Sequence, residues 1–318
     1  MDKVRWGILG PGNIAADFVG DFQFVSNGVV EAVASRSHER SQAFADRFQI
    51  PIVLDSYEAL VAHPEVDAIY VATPHNFHFE QSKLALDHGK AVLCEKPVTT
   101  SLADFQSLRA KATERQVLLM EGMWTYFLPA IIKAKKWVNN GRIGEIKHVK
   151  SDFGFYAPFD PRSRLFDPAL AGGALLDIGI YPIALANYFL EKMPADIKVR
   201  SRKAESGVDS DLMMSFEYSE ALATLHASLE CRLPNLTYVI GDEGYITIPN
   251  GWQARECSLF IESQQVDHFN DGRTGFGFNY EIEAFNADLL AGKLESAVVT
   301  HEVSERLQAL MEEVRKLF

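Results

Sequence analysis

The chain has 318 residues, of which 47% are hydrophobic, with 31 basic and 43 acidic side chains and a formal net charge of −12. That length and apolar share fit a soluble globular protein of about two domains. The acidic balance argues against non-specific binding to nucleic acid or anionic membranes, while leaving room for an anionic cofactor held locally by backbone amides and an arginine or two. Cys94, Cys231 and Cys257 are far apart and odd in number, with no CxxC pair, so neither a disulfide framework nor a zinc site is indicated. The opening MDKVRWG is expected to enter a strand at once, so no signal peptide is expected there. No apolar run is expected to approach the roughly 18 residues of a membrane span, and a cytoplasmic location follows as the expectation.

The first strand is expected over Trp6–Leu9, running into Gly10-Pro11-Gly12 and then Asn13-Ile14-Ala15. This is the G-x-G-x-x-G/A pattern at a strand-to-helix turn. Gly10 suits the tight turn, Gly12 lets a pyrophosphate approach the backbone, and Ala15 allows close helix–strand packing. The free N–H groups of the helix start, Asn13 and Ile14 among them, would hold the phosphates. The bland alternative is a glycine-rich turn that binds nothing.

A helix over Ile14–Phe22 precedes a strand over Val29–Ala34, which ends in Ser35-Arg36-Ser37. An acid at this strand end usually reads the ribose hydroxyls of NAD. An arginine between two serines suits a 2′-phosphate instead, so NADP is favoured over NAD. Helices over Ser37–Phe48, with Ser37 as N-cap, and Ser56–Ala62 flank a short strand at Ile52–Leu54. Val66–Ala72 reads as a strand buried on both faces. It ends in Thr73-Pro74-His75-Asn76-Phe77-His78, where Thr73, Pro74, Asn76 and His78 sit at the ligand-binding end of a parallel sheet. Capping or surface roles remain open for the histidines. A helix over Phe79–His88, a strand Ala91–Leu93 ending in Cys94-Glu95-Lys96-Pro97, a helix Leu102–Arg115 and a strand Val117–Met120 complete the half. Alternation throughout predicts a doubly wound parallel sheet, a Rossmann domain over 1–122.

Beyond it, a helix over Ala130–Asn139 and a long strand over Ile146–Phe155 lead to Gly172-Gly173 and a helix over Ala174–Leu190. Strands at Ile197–Lys203, Asp211–Tyr218 and Ala221–Glu230 follow, with hairpins Tyr238–Gly241/Gly244–Ile248 and Ser258–Glu262/Gln265–Phe269. Helices over Tyr280–Leu290 and His301–Leu317 close the chain. Runs of strands without helices predict an open-faced, mostly antiparallel sheet in an α+β domain over 123–318, one face covered by the Asp177 helix. The open face predicts a homodimer through that sheet.

Glu95-Lys96-Pro97 at a strand end after the glycine loop resembles the Gfo/Idh/MocA oxidoreductase family. Met120-Glu121-Gly122-Met123-Trp124-Thr125 with Phe127 and Pro129, and Gly172–Pro182, resemble the branch that holds dimeric dihydrodiol dehydrogenases and NADP-dependent D-xylose dehydrogenases. So do Ser206-Gly207-Val208-Asp209 and Phe269–Tyr280. The resemblance spans nearly the whole chain and implies dimerisation too. It also implies that Lys96 touches nicotinamide ribose and substrate, that Glu95 belongs to the cofactor motif, and that the Lys96–Pro97 bond is cis. Where most members carry D-x-x-x-H, this chain has Asp177 and Tyr181, as that branch does. Tyr126 departs from the branch's arginine and puts substrate preference in question.

Asp177 and Tyr181 are i and i+4, on one helix face. Alcohol oxidation needs a base for the hydroxyl proton, and a free tyrosine of pKa about 10 is a poor one. A lysine ammonium nearby would favour the phenolate. The expected roles are Tyr181 as general acid/base, Lys96 as electrostatic partner and Asp177 as positioning residue. Trp124 could wall a nicotinamide or substrate pocket or simply pack at the domain junction. Phe153 and Arg164 are candidate substrate residues, with Phe155, Tyr156 and Arg162 nearby. The expected activity is NADP-dependent hydride transfer to or from a sugar or trans-dihydrodiol carbon. The rivals are an NAD-dependent enzyme of the same family acting on inositol or sugar derivatives, and a non-catalytic dinucleotide sensor.

Overall fold

The computed structural model describes residues 3–318, and the chain divides into two compact units. The first runs to Trp124 and takes in Thr274–Glu305; the second holds Thr125–Arg273 and Arg306–Phe318.

In the first unit, β1 (Val4–Leu9), α1 (Asn13–Gly20), β2 (Gly28–Ala34), α2 (His38–Phe48), β3 (Ile52–Leu54), α3 (Tyr57–Ala62), β4 (Ala68–Val71), α4 (His78–Asp87), β5 (Ala91–Glu95), α5 (Leu102–Arg115) and β6 (Leu119–Gly122) alternate as expected. All strand pairs are parallel, in the order β3-β2-β1-β4-β5-β6. The order reverses at β1, so the carboxyl ends of β1 and β4 flank the switch point where such sheets bind ligands. Leu9, Val71, Cys94 and Leu119 from the strands pack with Phe105 and Leu108 of α5 in a fully buried core. Strands buried on both faces explain the apolar runs that mark them in the sequence.

The second unit holds α6 (Pro129–Asn139), β7 (Ile146–Gly154), α7 (Ile180–Leu190) and β8 to β14: Asp196–Lys203, Asp209–Glu217, Leu222–Ser228, Leu236–Gly241, Gly244–Pro249, Glu256–Ile261 and Gln264–Asn270. Its sheet runs β14-β13-β12-β11-β7-β10-β9-β8. Every pair is antiparallel except β7 with β10. α7 packs on β7 and β10, and α6 on β12, β13 and β14, so helices cover one face.

The segment Pro168–Leu190 corrects two expectations. It is long and apolar enough to cross a membrane by length and composition alone, although 78% of its most apolar window is buried, as in the core helix of a globular unit. It is also not one regular α-helix. Leu175–Gly179 forms a π-helical turn before α7 begins. Pro182, inside α7, has no N–H for the carbonyl four residues back and crowds it, and the wider turn sits just ahead of that defect.

The sequence assigns 123–318 to one domain, whereas contacts return Thr274–Glu305 to the first unit. The buried Asp21 carboxylate is the cause. It accepts N–H bonds from Phe276, Gly277 and Phe278 at 3.0, 2.7 and 2.8 Å and so fixes the start of α8 (Phe278–Leu290). The indole N–H of Trp6 then donates to Asn286 of α8 at 2.9 Å. The last helix, α9 (His301–Arg315), begins in the first unit and ends in the second.

Candidate active site

The glycine loop at the end of β1 has the geometry its spacing implies. Gly10 has φ +94°, and a Cβ there would lie 2.7 Å from Thr73 Cγ2. A Cβ on Gly12 would meet nothing within 4 Å. Gly12 therefore borders open space rather than protein, as a close phosphate approach requires. No side chain caps α1 and no acid lies in its first turn, while Asn13 and Ile14 are exposed. Its first donors are thus left to a ligand, with the dipole favouring an anion.

Beside this loop lies a cavity of about 700 Å³, lined by Gly10, Gly12, Thr73, Pro74, Arg36, Arg40, Ser35, Ser37, Tyr57 and Phe77 among others. None of its lining residues is acidic. Arg36 lies over the Phe77 ring, 5.6 Å from its centroid. Arg40, the second cation here, escapes the sequence reading because it lies beyond the strand end, inside α2. Ser35 does not offer its hydroxyl to the cavity. That hydroxyl donates to the Ser37 carbonyl at 2.7 Å and accepts from Ser37 N–H and the Ser41 hydroxyl. Ser37 caps α2, accepting from Arg40 N–H. The serines build the turn, and the arginines supply its charge.

The loop after β4 is tied down from inside. The Thr73 hydroxyl donates to Gln81 at 2.5 Å. Both ring nitrogens of His78 face main-chain carbonyls at 2.8 Å, those of Thr73 and Pro97. Both contacts are satisfied only by the doubly protonated ring, while burial pushes the pKa of His78 down and the two carbonyls push it up. His78 is fully committed to joining two loops, whereas the sequence reading places it on the cofactor. Asn76 keeps a buried Oδ1 without a protein partner.

Lys96 follows β5, buried, and its bond to Pro97 is cis. Glu95 is buried behind it, accepting from the Tyr70 hydroxyl and, at 3.2 Å, from Lys96 N–H. Its carboxylate points into the unit and acts as a support. Trp124 stacks on Phe278 with centroids 4.4 Å apart and planes at 12°. On α8, Glu281 is fully buried with neither carboxyl oxygen bonded. Burial holds its carboxyl well above the usual range, and the Glu95 charge adds to this.

In the second unit, Gly173 has φ +117°, and a Cβ there would strike Asp209 at 2.3 Å. Asp209 accepts Leu175 N–H at 2.6 Å and so starts the helical segment. That segment presents Asp177 from the π turn and Tyr181 from α7, both buried. Asp177 already holds a guanidinium: Arg164 Nη1 donates to it at 2.7 Å. Phe153 lies 5.8 Å from the Tyr181 ring and stacks on Trp252 at 3.9 Å and 6°. Trp252, absent from the sequence reading, thus belongs to the aromatic wall beside the phenol. Arg162 pairs with Asp160 in solvent, and Tyr156 is exposed. Tyr126 is buried and donates to the Ala184 carbonyl of α7 at 2.6 Å, so it anchors the helix that carries Tyr181.

Residues 4–123 match the family model described as an oxidoreductase family, NAD-binding Rossmann fold, and residues 131–247 match the GFO/IDH/MocA C-terminal domain. Among curated relatives, the trans-1,2-dihydrobenzene-1,2-diol dehydrogenase of Mus musculus is 35% identical over 322 residues, spanning 98% of this chain and 96% of the relative. The Homo sapiens enzyme of the same name is 34% identical over 323 residues with the same shares. Among solved structures, a 3-ketoreductase from Actinomadura kijaniata, with NADP and TDP-benzene, matches with a TM-score of 0.87 at 27% identity, covering 99% of this chain and 98% of the other. An aldose–aldose oxidoreductase from Caulobacter crescentus shares the fold, with a TM-score of 0.91 at 23% identity over 99% and 97% of the two chains.

Proposed function

The chain belongs to the Gfo/Idh/MocA oxidoreductase family, and on that premise we propose that it is an NADP-dependent dehydrogenase acting on a hydroxyl of a sugar or trans-dihydrodiol. Family membership makes it a Rossmann-type NAD(P)-binding oxidoreductase. The observation that carries the choice of NADP is the cavity beside Gly12, which holds Arg36 and Arg40 and no acid. An acid there would accept from a free ribose 2′-hydroxyl; arginines pair with a phosphate. Gly10, Gly12, Asn13 and Ile14 would hold the pyrophosphate. When bound, the nicotinamide ring supplies or accepts the hydride.

Tyr181 takes the substrate hydroxyl proton in oxidation and returns it in reduction. Lys96 supplies the positive charge that favours the phenolate. Asp177, held by Arg164, fixes the turn that presents Tyr181. Phe153 and Trp252 offer an apolar wall that suits the carbon face of a sugar or diol. The relatives' names, dihydrodiol dehydrogenase and ketoreductase, support substrates of this class.

The outer face of the second sheet carries Tyr238, Ile240, Tyr245 and Phe260, with Met213 and Leu222 exposed. It fits a homodimer formed through that face. Light scattering behind size exclusion should read twice the 35.5 kDa chain mass; a single-chain mass would reject it. Three free thiols, one of them exposed, fit a reducing cytoplasm.

The direct test is a panel of aldoses and trans-dihydrodiols offered with NADP⁺ and with NAD⁺, read by nicotinamide fluorescence. Turnover of at least one member with NADP⁺, well above that with NAD⁺, is expected. Turnover with NAD⁺ alone, or none with either, would overturn the reading.

A further inference from the structure

The arginine cavity contains a residue that neither the glycine pattern nor the strand end explains. Tyr57 opens α3, directly after the Ser56 N-cap, and its ring lines the cavity that holds Arg36. Arg36 lines the same cavity, near enough for its guanidinium charge to act on the Tyr57 hydroxyl. On another side, the same guanidinium lies over the Phe77 ring. An arginine at a strand end has a long, mobile side chain whose ordering opposes binding. Here the Phe77 face and the Tyr57 side chain bound the space open to it before any ligand arrives.

We propose that Tyr57 is a positioning residue for cofactor choice, acting through Arg36 to hold the guanidinium toward a 2′-phosphate. This rests on the NADP reading above. The phenol oxygen accepts one of the guanidinium's N–H groups and leaves the others for the anion. Phe77 holds the plane of the group, and Tyr57 sets its direction. A neutral hydroxyl does this without cancelling the charge that the phosphate needs, whereas a carboxylate would compete with the phosphate. Burial pushes the Tyr57 pKa up, which keeps the hydroxyl protonated and neutral, while Arg36 acts in the opposite direction.

The test is fluorescence titration of NADPH and NADH into the full-length wild type, Tyr57→Phe, Arg36→Ala and the double variant. Tyr57→Phe keeps the ring and removes only the oxygen. It should weaken NADPH roughly fivefold, the scale of one lost hydrogen bond, and leave NADH within about twofold. Added to Arg36→Ala it should change NADPH binding no further, because the residue it positions is gone. Equal weakening of both cofactors would mark Tyr57 as merely structural. Unchanged NADPH binding, or an effect that adds fully to that of Arg36→Ala, would also overturn the proposal. A wild type that binds NADPH no better than NADH would instead overturn the NADP reading beneath it.

Discussion

In the proposed mechanism the two units carry chemistry in different ways. In the first, the working surface is mostly backbone: a left-handed Gly10, an open position at Gly12 and the uncapped start of α1. Side chains there, such as Ser35, His78 and Glu95, are turned inward as struts. In the second, the surface is side chains, Asp177, Arg164, Tyr181, Phe153 and Trp252, and the backbone is the strut. Backbone sites are tuned to what every dinucleotide shares. Side-chain sites can be exchanged as substrates change. One chain can therefore keep its cofactor geometry while its substrate preference drifts.

Substitutions can break that contrast. Lys96→Met should cost about 10²–10³-fold in kcat. Its pH profile should move to the alkaline side, because a lost positive charge makes the phenolate harder to form; an unshifted profile would remove Lys96 from that role. Arg36→Ala should weaken NADPH roughly 10- to 100-fold and leave NADH nearly unchanged, the scale of a lost charged hydrogen bond. Equal losses would undercut the phosphate assignment.

Gly10→Ala and Gly12→Ala separate fold from function within one loop. Gly10→Ala should lose about 1–2 kcal/mol of stability from its positive φ alone, with the Thr73 clash adding to it. Gly12→Ala should melt like wild type and lose cofactor affinity about tenfold, which is about 1.4 kcal/mol. Calorimetry beside cofactor titration checks both, and a melting loss at Gly12 would mean that protein fills the space above it.

Glu281→Gln is the smallest effect at acid pH and grows with pH. Below the usual carboxylate pKa of about 4.3, folded and unfolded forms both keep the proton. Above it, the unfolded chain ionises while the buried carboxyl stays neutral, so wild-type stability falls by up to ~1.4 kcal/mol per pH unit. Glutamine cannot ionise, so the variant should gain on wild type from about pH 4.5 upward. Urea midpoints across pH would show this; a constant difference would mean that Glu281 is ionised in the fold.

Much of the first unit was legible because its signals are local. The Gly10–Ala15 spacing, the apolar strands and the Ser37 cap each depend on a few neighbouring residues. The parts that escaped depend on distant partners. Asp21 is buried by α8, which begins 257 residues away in the chain, and the parallel pairing of β7 with β10 joins strands that are not neighbours in sequence. Trp252 has no signal of its own until Phe153 stacks on it. Ser35 misleads because a hydroxyl beside an arginine resembles a phosphate ligand, whereas here the turn consumes it. The π turn follows from Pro182, a cue present in the sequence but weaker than the apolar run around it.

The claim with most resting on it is that the phenol of Tyr181 carries the proton. Rapid-mixing measurement of a single turnover, with NADPH and a substrate identified from the panel, compares wild type with Tyr181→Phe. The account predicts hydride transfer slowed about 10²–10⁴-fold with NADPH binding unchanged. Transfer within a few-fold of wild type would contradict it.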